Sequence, residues 1–556
     1  MRIRDLGDLL GVGGPLTMAA LLAVAGLLAS PLVGGAAHPA EVHAPGSGAA
    51  AACDTEVPEA VRQAVAAVQA GNLDRADELL TDTLRRCPRH PELLAELGGL
   101  RFRQGRMAEA EVLAGRLVEV DPESRYGWEL LGTLRYLDDD RMGALRAWSR
   151  SGSPVVRSVD VPVRGPDGPQ EEEQAMRAVR AVGIEPGDSL DPEELVRGTR
   201  RLASLPAASR ARLGYTMLPE GEARVEGALV LIPRLPVSRL ELAEHAVRAA
   251  TGSVDVAFGD LAGRFERWEV SGRREGTIRR GTLGLAHPAP LGEGVWRWTA
   301  EHRSGRYEDQ PIERNRIEWG HAHWLTARFW GTARGGFERR RSRGNHLGGG
   351  LGAMLLPLDG WGSLELNVDG WVRVARSGGR EPPPVESERF GRLDVEAFLH
   401  PAGLEGAGPL PRLQARLGLI ALSPNAPQDL APRMGRSGAV RVPMRAVSDL
   451  DGDGVVRSPF PGRSWVHGGV EVGRRVASVG PVEVGVAAFG DGVRVLQGTA
   501  GDPDDAARRG ALHLGAGLRA RLLGVDGRLR LDWAIDPSDG SSGVSGAWLP
   551  GRFPPR

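Results

Sequence analysis

The chain contains no lysine. All 70 of its basic residues are therefore arginine, and every mechanism that needs a lysine is excluded, a Walker-type phosphate loop among them. Cysteine is reduced to 2 residues, and tyrosine (4) is far outnumbered by tryptophan (13). An excess of one charge is missing as well. The formal net charge of −1 gives no bulk drive toward nucleic acid or an acidic membrane surface. After Leu28 no run is apolar enough for a membrane-spanning helix, so any membrane contact by the remainder must use a barrel. No serine nucleophile elbow, HExxH pair or dinucleotide fingerprint occurs. These absences argue for a non-enzyme with no cofactor and no nucleic-acid partner.

What is present divides the chain. At 556 residues it is too long for one core, and two to four domains are expected. Arg2 and Arg4 head an apolar run, Leu16 to Leu28, followed by small residues at Gly34 to Ala37. That run is short for a spanning helix and suits a secretory signal over 1–37, with an Ala/Gly/Pro linker over 38–56.

From 57 to 150 the pattern is helical and repeats. Gly71, Gly105 and Asp139 are spaced 34 apart, as are Ala76, Ala110 and Ala144. Pro88 and Pro122 share that spacing. Small residues let paired helices cross closely, and Pro closes each unit. The pattern resembles the tetratricopeptide repeat, with Leu97 to Pro122 the clearest copy. Such arrays bind peptides or partner domains on a concave face, or serve as a packed spacer. Cys53 stands before the first helix of the array and Cys87 ends its antiparallel partner. In an oxidising compartment a disulfide between them is expected.

The texture changes after Ser151. A strand-like alternation (Val155 to Gly165) precedes a short helix ending at Gly183. Asp191, Pro192 and Glu194 then make a capping box for a second helix, with Leu195, Leu202 and Leu205 expected in a core. Two strands follow across Pro219-Glu220-Gly221. The order β-α-α-β-β fits a small α+β domain over 154–235.

From 245 to 556 the chain alternates with period two. Leu364, Leu366 and Val368 oppose Glu365, Asn367 and Asp369; Leu529, Leu531 and Trp533 oppose Arg528, Arg530 and Asp532. About fifteen or sixteen such segments lie within the range of bacterial outer-membrane barrels, where an apolar outer face opposes a charged lumen.

The α+β stretch, with Ala-Val-Gly-Ile-x-Pro-Gly-Asp and a helix ending Arg-Arg-Leu-x-x-Leu-Pro, resembles a POTRA (polypeptide-transport-associated) domain. The tail resembles the barrels that carry such domains, the Omp85 family of TamA type. In that family a Glu on one late strand is followed by Phe-x-Asp on the next. Glu471, Phe489 and Asp491 match them, while Val493 and Leu496 replace a Gly and a Trp. The family's Arg-Gly-aromatic loop motif has its counterpart in PMRAVSDLDGDG, with Arg445 as the Arg and Ala446-Val447 in place of Gly-aromatic. The resemblance implies a multidomain fold: a helical repeat array, a POTRA-like domain and an antiparallel outer-membrane β-barrel of about 16 strands. Inside the barrel Arg445 would pair with Asp491 or Glu471.

It further implies insertion or translocation of proteins at the outer membrane of a Gram-negative cell, with the N-terminal domains in the periplasm. The partners would be the lipid bilayer, client polypeptides added as strands at the edge of the POTRA-like sheet, and a periplasmic protein on the repeats. A polysaccharide export pore, a surface-lipoprotein assembly modulator and an adaptor anchored by its barrel are the alternatives. Asp449, Asp451 and Asp453 begin like a calcium loop, but Phe460 stands where the bidentate Glu belongs, so a solvated turn is the expectation. His321 and His323 share a strand face without a third ligand nearby in sequence.

Overall fold

The structure is a computed structural model that describes residues 47–550. It omits 167, 235–248, 250–251, 291–292, 308–309, 342, 357–361, 376–388, 400–411, 431–452, 454, 456–461, 481, 498–509, 523–526 and 539. The signal expected over 1–37, Arg445, Asp449, Asp451 and Phe460 lie outside the described residues.

Six helices open the fold: α1 (Ser47–Gln69), α2 (Leu73–Arg86), α3 (Pro91–Arg103), α4 (Met107–Val120), α5 (Arg125–Leu137) and α6 (Arg141–Ser151). They pair in sequence as hairpins. Gly71, Gly105 and Asp139 all adopt positive φ at the hairpin turns (76°, 75° and 65°), a conformation open to Gly and tolerated by Asp. Ala76, Ala110 and Ala144 are each fully buried where the helices cross. At Gly132 a Cβ would come 2.5 Å from the Trp148 indole nitrogen, so only Gly permits that approach. Helix α1 begins at Ser47, within the stretch expected as linker. The Ala49–Ala52 run has high helix propensity, and Cys53 in the same helix is bonded to Cys87.

A small mixed sheet follows. Strands β1 (Val155–Asp160), β2 (Val163–Gly165) and β3 (Gly168–Pro169) precede α7 (Glu172–Val182) and α8 (Pro192–Ala203), then β4 (Ala208–Met217) and β5 (Glu222–Leu231). Strand β5 is central, parallel to β1 and β2 and antiparallel to β4. The Asp191 carboxylate accepts from the Glu194 amide at 2.8 Å, and Gly183 ends α7 in the left-handed region. Leu195, Leu202 and Leu205 are buried in the core with Val182, Tyr215 and Leu229. The β2–β3 hairpin, built from VRGPDGP, is an addition to the expected β-α-α-β-β order.

Among the described residues the remaining strands form one sheet of fifteen, each paired with its sequence neighbour. They are β6 (Ser253–Gly259), β7 (Arg267–Glu275), β8 (Ile278–Pro288), β9 (Val295–Tyr307), β10 (Gln310–Trp324), β11 (Phe329–Arg340), β12 (Gly344–Leu355), β13 (Gly362–Ala375), β14 (Arg389–Leu399), β15 (Arg412–Leu422), β16 (Ser464–Val479), β17 (Val482–Gln497), β18 (Gly510–Leu522), β19 (Gly527–Ile535) and β20 (Ser542–Pro550). Burial on this sheet is inverted relative to a water-soluble one. Leu283, Ile317, Leu351 and Trp533 are exposed, whereas Glu301, Arg314, Glu338 and Arg340 on the opposite face are buried.

Candidate functional site: the charged interior face and its two anchored segments

The first anchored segment is the β6–β7 turn, which hooks into the α+β domain. Asp260 and Phe265 both take positive φ (52° and 60°), costly for a bulky residue unless surroundings enforce it. The enforcement is visible. The Asp260 carboxylate accepts from the Phe265 amide (2.8 Å) and from Gln174 Nε2 of α7 (2.7 Å). Glu266 accepts from the Ala262 and Arg264 amides of the same turn, and the Phe265 carbonyl accepts from the Ala207 amide. The Phe265 ring, only 1% exposed, thereby completes the α+β core. Burial raises the Asp260 carboxyl above the ordinary aspartate range, against the hydrogen bonds from Phe265 and Gln174 that favour its charge.

Two further contacts fall at the same end of the sheet. Arg201 of α8 pairs with Glu293 in the β8–β9 connection, and Arg200 stacks over the Trp324 ring at 5.0 Å. Burial lowers the affinity of Arg201 for its proton, which Glu293 partly restores. Glu293 also meets His323 Nε2 at 3.0 Å, and His321 Nε2 lies 3.1 Å from the Glu293 carbonyl. Among the described residues no group of three His, Cys, Asp or Glu side chains could hold a metal ion.

The array is joined to the same domain. Tyr136 Oη accepts from the Met217 amide (3.0 Å), Arg141 Nη1 donates to the Tyr215 carbonyl (3.3 Å), and Tyr215 Oη donates to the Arg141 carbonyl (2.8 Å). Burial raises the Tyr215 phenol far above the usual tyrosine range, so it stays a donor. The Leu218 amide donates to Glu222 on β5, so Tyr215 and Met217, of opposite parity, turn their backbone groups to the other edge of β4. An edge of this sheet was the expected entry point for a client strand, and β4 forms one of its edges. Along its C-terminal half the array's last hairpin already occupies it, because side chains from α5 and α6 supply the partners an added strand would have supplied.

The second anchored segment crosses the interior face. After β15 the chain turns inward over Ser423–Leu430 instead of continuing away from the sheet. Ser423 exchanges hydrogen bonds with Gly391, its amide to the carbonyl (3.0 Å) and its Oγ from the amide (2.9 Å). Arg463 Nη1 donates to the Ser423 and Ala426 carbonyls. Ala426 and Leu430 pack with Trp371, Phe390, Ile420 and Trp465 in an apolar cluster on the charged face.

At its tip Asp429 enters a buried arginine cluster. Arg340 Nη1 donates to Oδ1 at 2.5 Å, and Arg314 and Arg303 approach Oδ2 at 3.6 and 4.0 Å. Glu301 pairs with Arg314 and Arg280, and Glu338 with Arg340. Three arginines from β9, β10 and β11 thus converge on one carboxylate, with two glutamates balancing the remainder. Buried charge persists only when paired in this way. The next residue, Leu430, accepts at its carbonyl from Arg392 on β14 (3.4 Å). Strands β9 and β14 are five apart, about 24 Å across a flat sheet. Adjacent residues bound to both fit a sheet that curls around its charged face.

Of the residues expected to pair in the interior, Glu471 and Asp491 lie on adjacent strands of that face. Glu471 binds Arg519 through both carboxylate oxygens (3.1 and 2.9 Å), and Arg519 also holds Asp532 at 2.6 Å. Asp491 is fully buried, in register with Gly469 and His513. Asp429 and Phe265 escaped sequence reading. Their only signals were an acidic residue in a Pro/Ala-rich connection and a large apolar residue in a Gly-rich turn.

The tetratricopeptide-repeat family profile matches residues 67–134, within the helical array, which is tetratricopeptide-like. No curated protein sequence matches the chain. Among solved structures the chain is similar to BamA from Haemophilus ducreyi lacking POTRA domains 1–3, at 10% identity over 71% of this chain and 84% of that one, with a TM-score of 0.38. It is also similar to CdiB from Escherichia coli, at 14% identity over 71% and 76%, with a TM-score of 0.45. The array is similar to the globular C-terminal domain of P. aeruginosa LpoP, at 28% identity over 17% and 95%, with a TM-score of 0.17.

Proposed function

We propose that this chain is an outer-membrane β-barrel of Omp85/TamA type that inserts or translocates other proteins, with its repeats and POTRA-like domain in the periplasm. The inverted burial of the sheet supports the membrane assignment, since an exposed apolar face opposite a charged face suits lipid outside and a wet lumen inside. The observation that carries protein transport over steady export is Ser423–Leu430. This segment lies across the interior and is fixed by Asp429, where an export pore needs an open polar channel. Arg445, further along the same connection, would reach Asp491 beside the Glu471–Arg519 pair and fix the loop a second time. The α+β domain docks at the turns opposite that long connection, which supports a periplasmic array with the connection facing outward. With part of the β4 edge taken, clients would be recruited by the repeat array.

The test is reconstitution. Vesicles carrying the full chain should accelerate insertion of an unfolded outer-membrane barrel, read as the appearance of its heat-modifiable folded band. No acceleration for any such client, together with a large steady pore, would favour the polysaccharide-export reading.

A further inference from the structure

We propose that Arg274, Arg279, Arg306 and Arg339 form a belt on the apolar side of the sheet that binds phosphate groups of a phosphorylated glycolipid in the far membrane leaflet. The inference rests on the barrel reading above. All four side chains are exposed and stand at the sheet end opposite the α+β domain. Alternation along the strands puts them on the same face as Leu283, Ile317 and Phe337. Arg274 and Arg279 are direct cross-strand partners, an arrangement of like charges that destabilises a sheet unless an anion lies between them. Arg339 is in register with Asn315 on one side and Asn345 on the other. Those two neighbours add hydrogen-bonding capacity without negative charge. The one carboxylate on this face among the described residues of that end, Glu313, is taken by Arg341 at 3.0 Å.

The level of the belt specifies the ligand. Arg274 and Arg279 share a row with Ser304 and Glu313, and Arg339 stands one outward row further in with His302 and Asn315. The row after that is apolar across five strands: Val270, Leu283, Ala300, Ile317 and Phe337. The guanidinium groups therefore stand at the polar edge of the apolar band, with stems long enough to lie along it. At the other end of the band, the row of His287, Trp296 and His321 contains no arginine. On β7–β11 bulk attraction to an acidic membrane would not sort arginine to one edge, whereas a leaflet that alone bears phosphate on a sugar headgroup would. Arg474 on β16 is an outward arginine toward the other end. Arginine matches phosphate oxygens in bidentate geometry.

The experiment reconstitutes the full chain into phosphatidylcholine vesicles with bis-phosphorylated lipid A or with phosphatidylglycerol, re-extracts the protein and measures co-purified lipid. The variant R274Q/R279Q/R306Q/R339Q is compared with wild type and with a control of equal charge change in the array, R62Q/R75Q/R85Q/R125Q. Heat-modifiable mobility reports whether each barrel is folded. Wild type and control should retain lipid A over phosphatidylglycerol, and the belt variant should lose roughly tenfold or more of that retention while still folded. Equal retention by the folded belt variant, an equal loss in the control, or equal retention of phosphatidylglycerol would overturn the belt alone. Failure of wild type to insert into either vesicle would overturn the barrel reading together with it.

Discussion

Two segments leave the large sheet and are fixed by something else, and they are fixed differently. The Asp260–Glu266 turn is anchored by an apolar ring, Phe265, and uses its carboxylates on its own backbone and, through Asp260, on Gln174 of α7. The Ser423–Leu430 segment packs apolar groups as well, but its tip is secured by a charge, Asp429, among three arginines. A hydrophobic anchor of this kind is insensitive to salt and gives a permanent joint between domains. A buried charge anchor fails as a unit when one partner is removed.

Four perturbations break or sharpen this contrast. Phe265→Ala should cost roughly 3–5 kcal/mol and free the α+β domain, seen as separate thermal transitions for sheet and domain. Asp429→Ala leaves three arginines sharing two glutamates and should cost about 3 kcal/mol, with proteolysis appearing after Ser423 and no change at the domain joint. Tyr136→Phe removes the cap from the Met217 amide, should cost about 1 kcal/mol, and should raise hydrogen exchange at Met217 specifically.

The smallest effect is that of pH on the joint. The Asp260 carboxyl is raised by burial, so the folded state holds its proton more tightly than the unfolded one. Its contribution is then full below the unfolded value of about 3.9 and is lost as pH rises through the raised folded value. Protection of the turn amides, corrected for intrinsic exchange, should fall over that interval; unchanged protection would assign the shift no role in docking.

Much of the scaffold was legible because it depends on local rules. Positions 71, 105 and 139 share both the 34-residue spacing and the positive φ. Asp191 caps its helix through the Glu194 amide, while the Glu194 side chain pairs with Arg197 instead of closing the box. Strand alternation revealed both faces of the sheet before any pairing was known. The crossing segment was not legible, since Asp429 finds its arginines 89 to 126 residues away, a separation no periodicity encodes. The β4 edge shows a second limit. A domain read by itself has an open edge, and here Tyr136 and Arg141, belonging to another domain, close part of it.

Planar-bilayer conductance measures directly whether the Ser423–Leu430 segment crosses the interior. Wild type should show small, flickering conductance, Asp429→Ala should show larger and longer openings, and Arg445→Ala should move the same way. A large steady pore in wild type, unaltered by either substitution, would contradict that crossing.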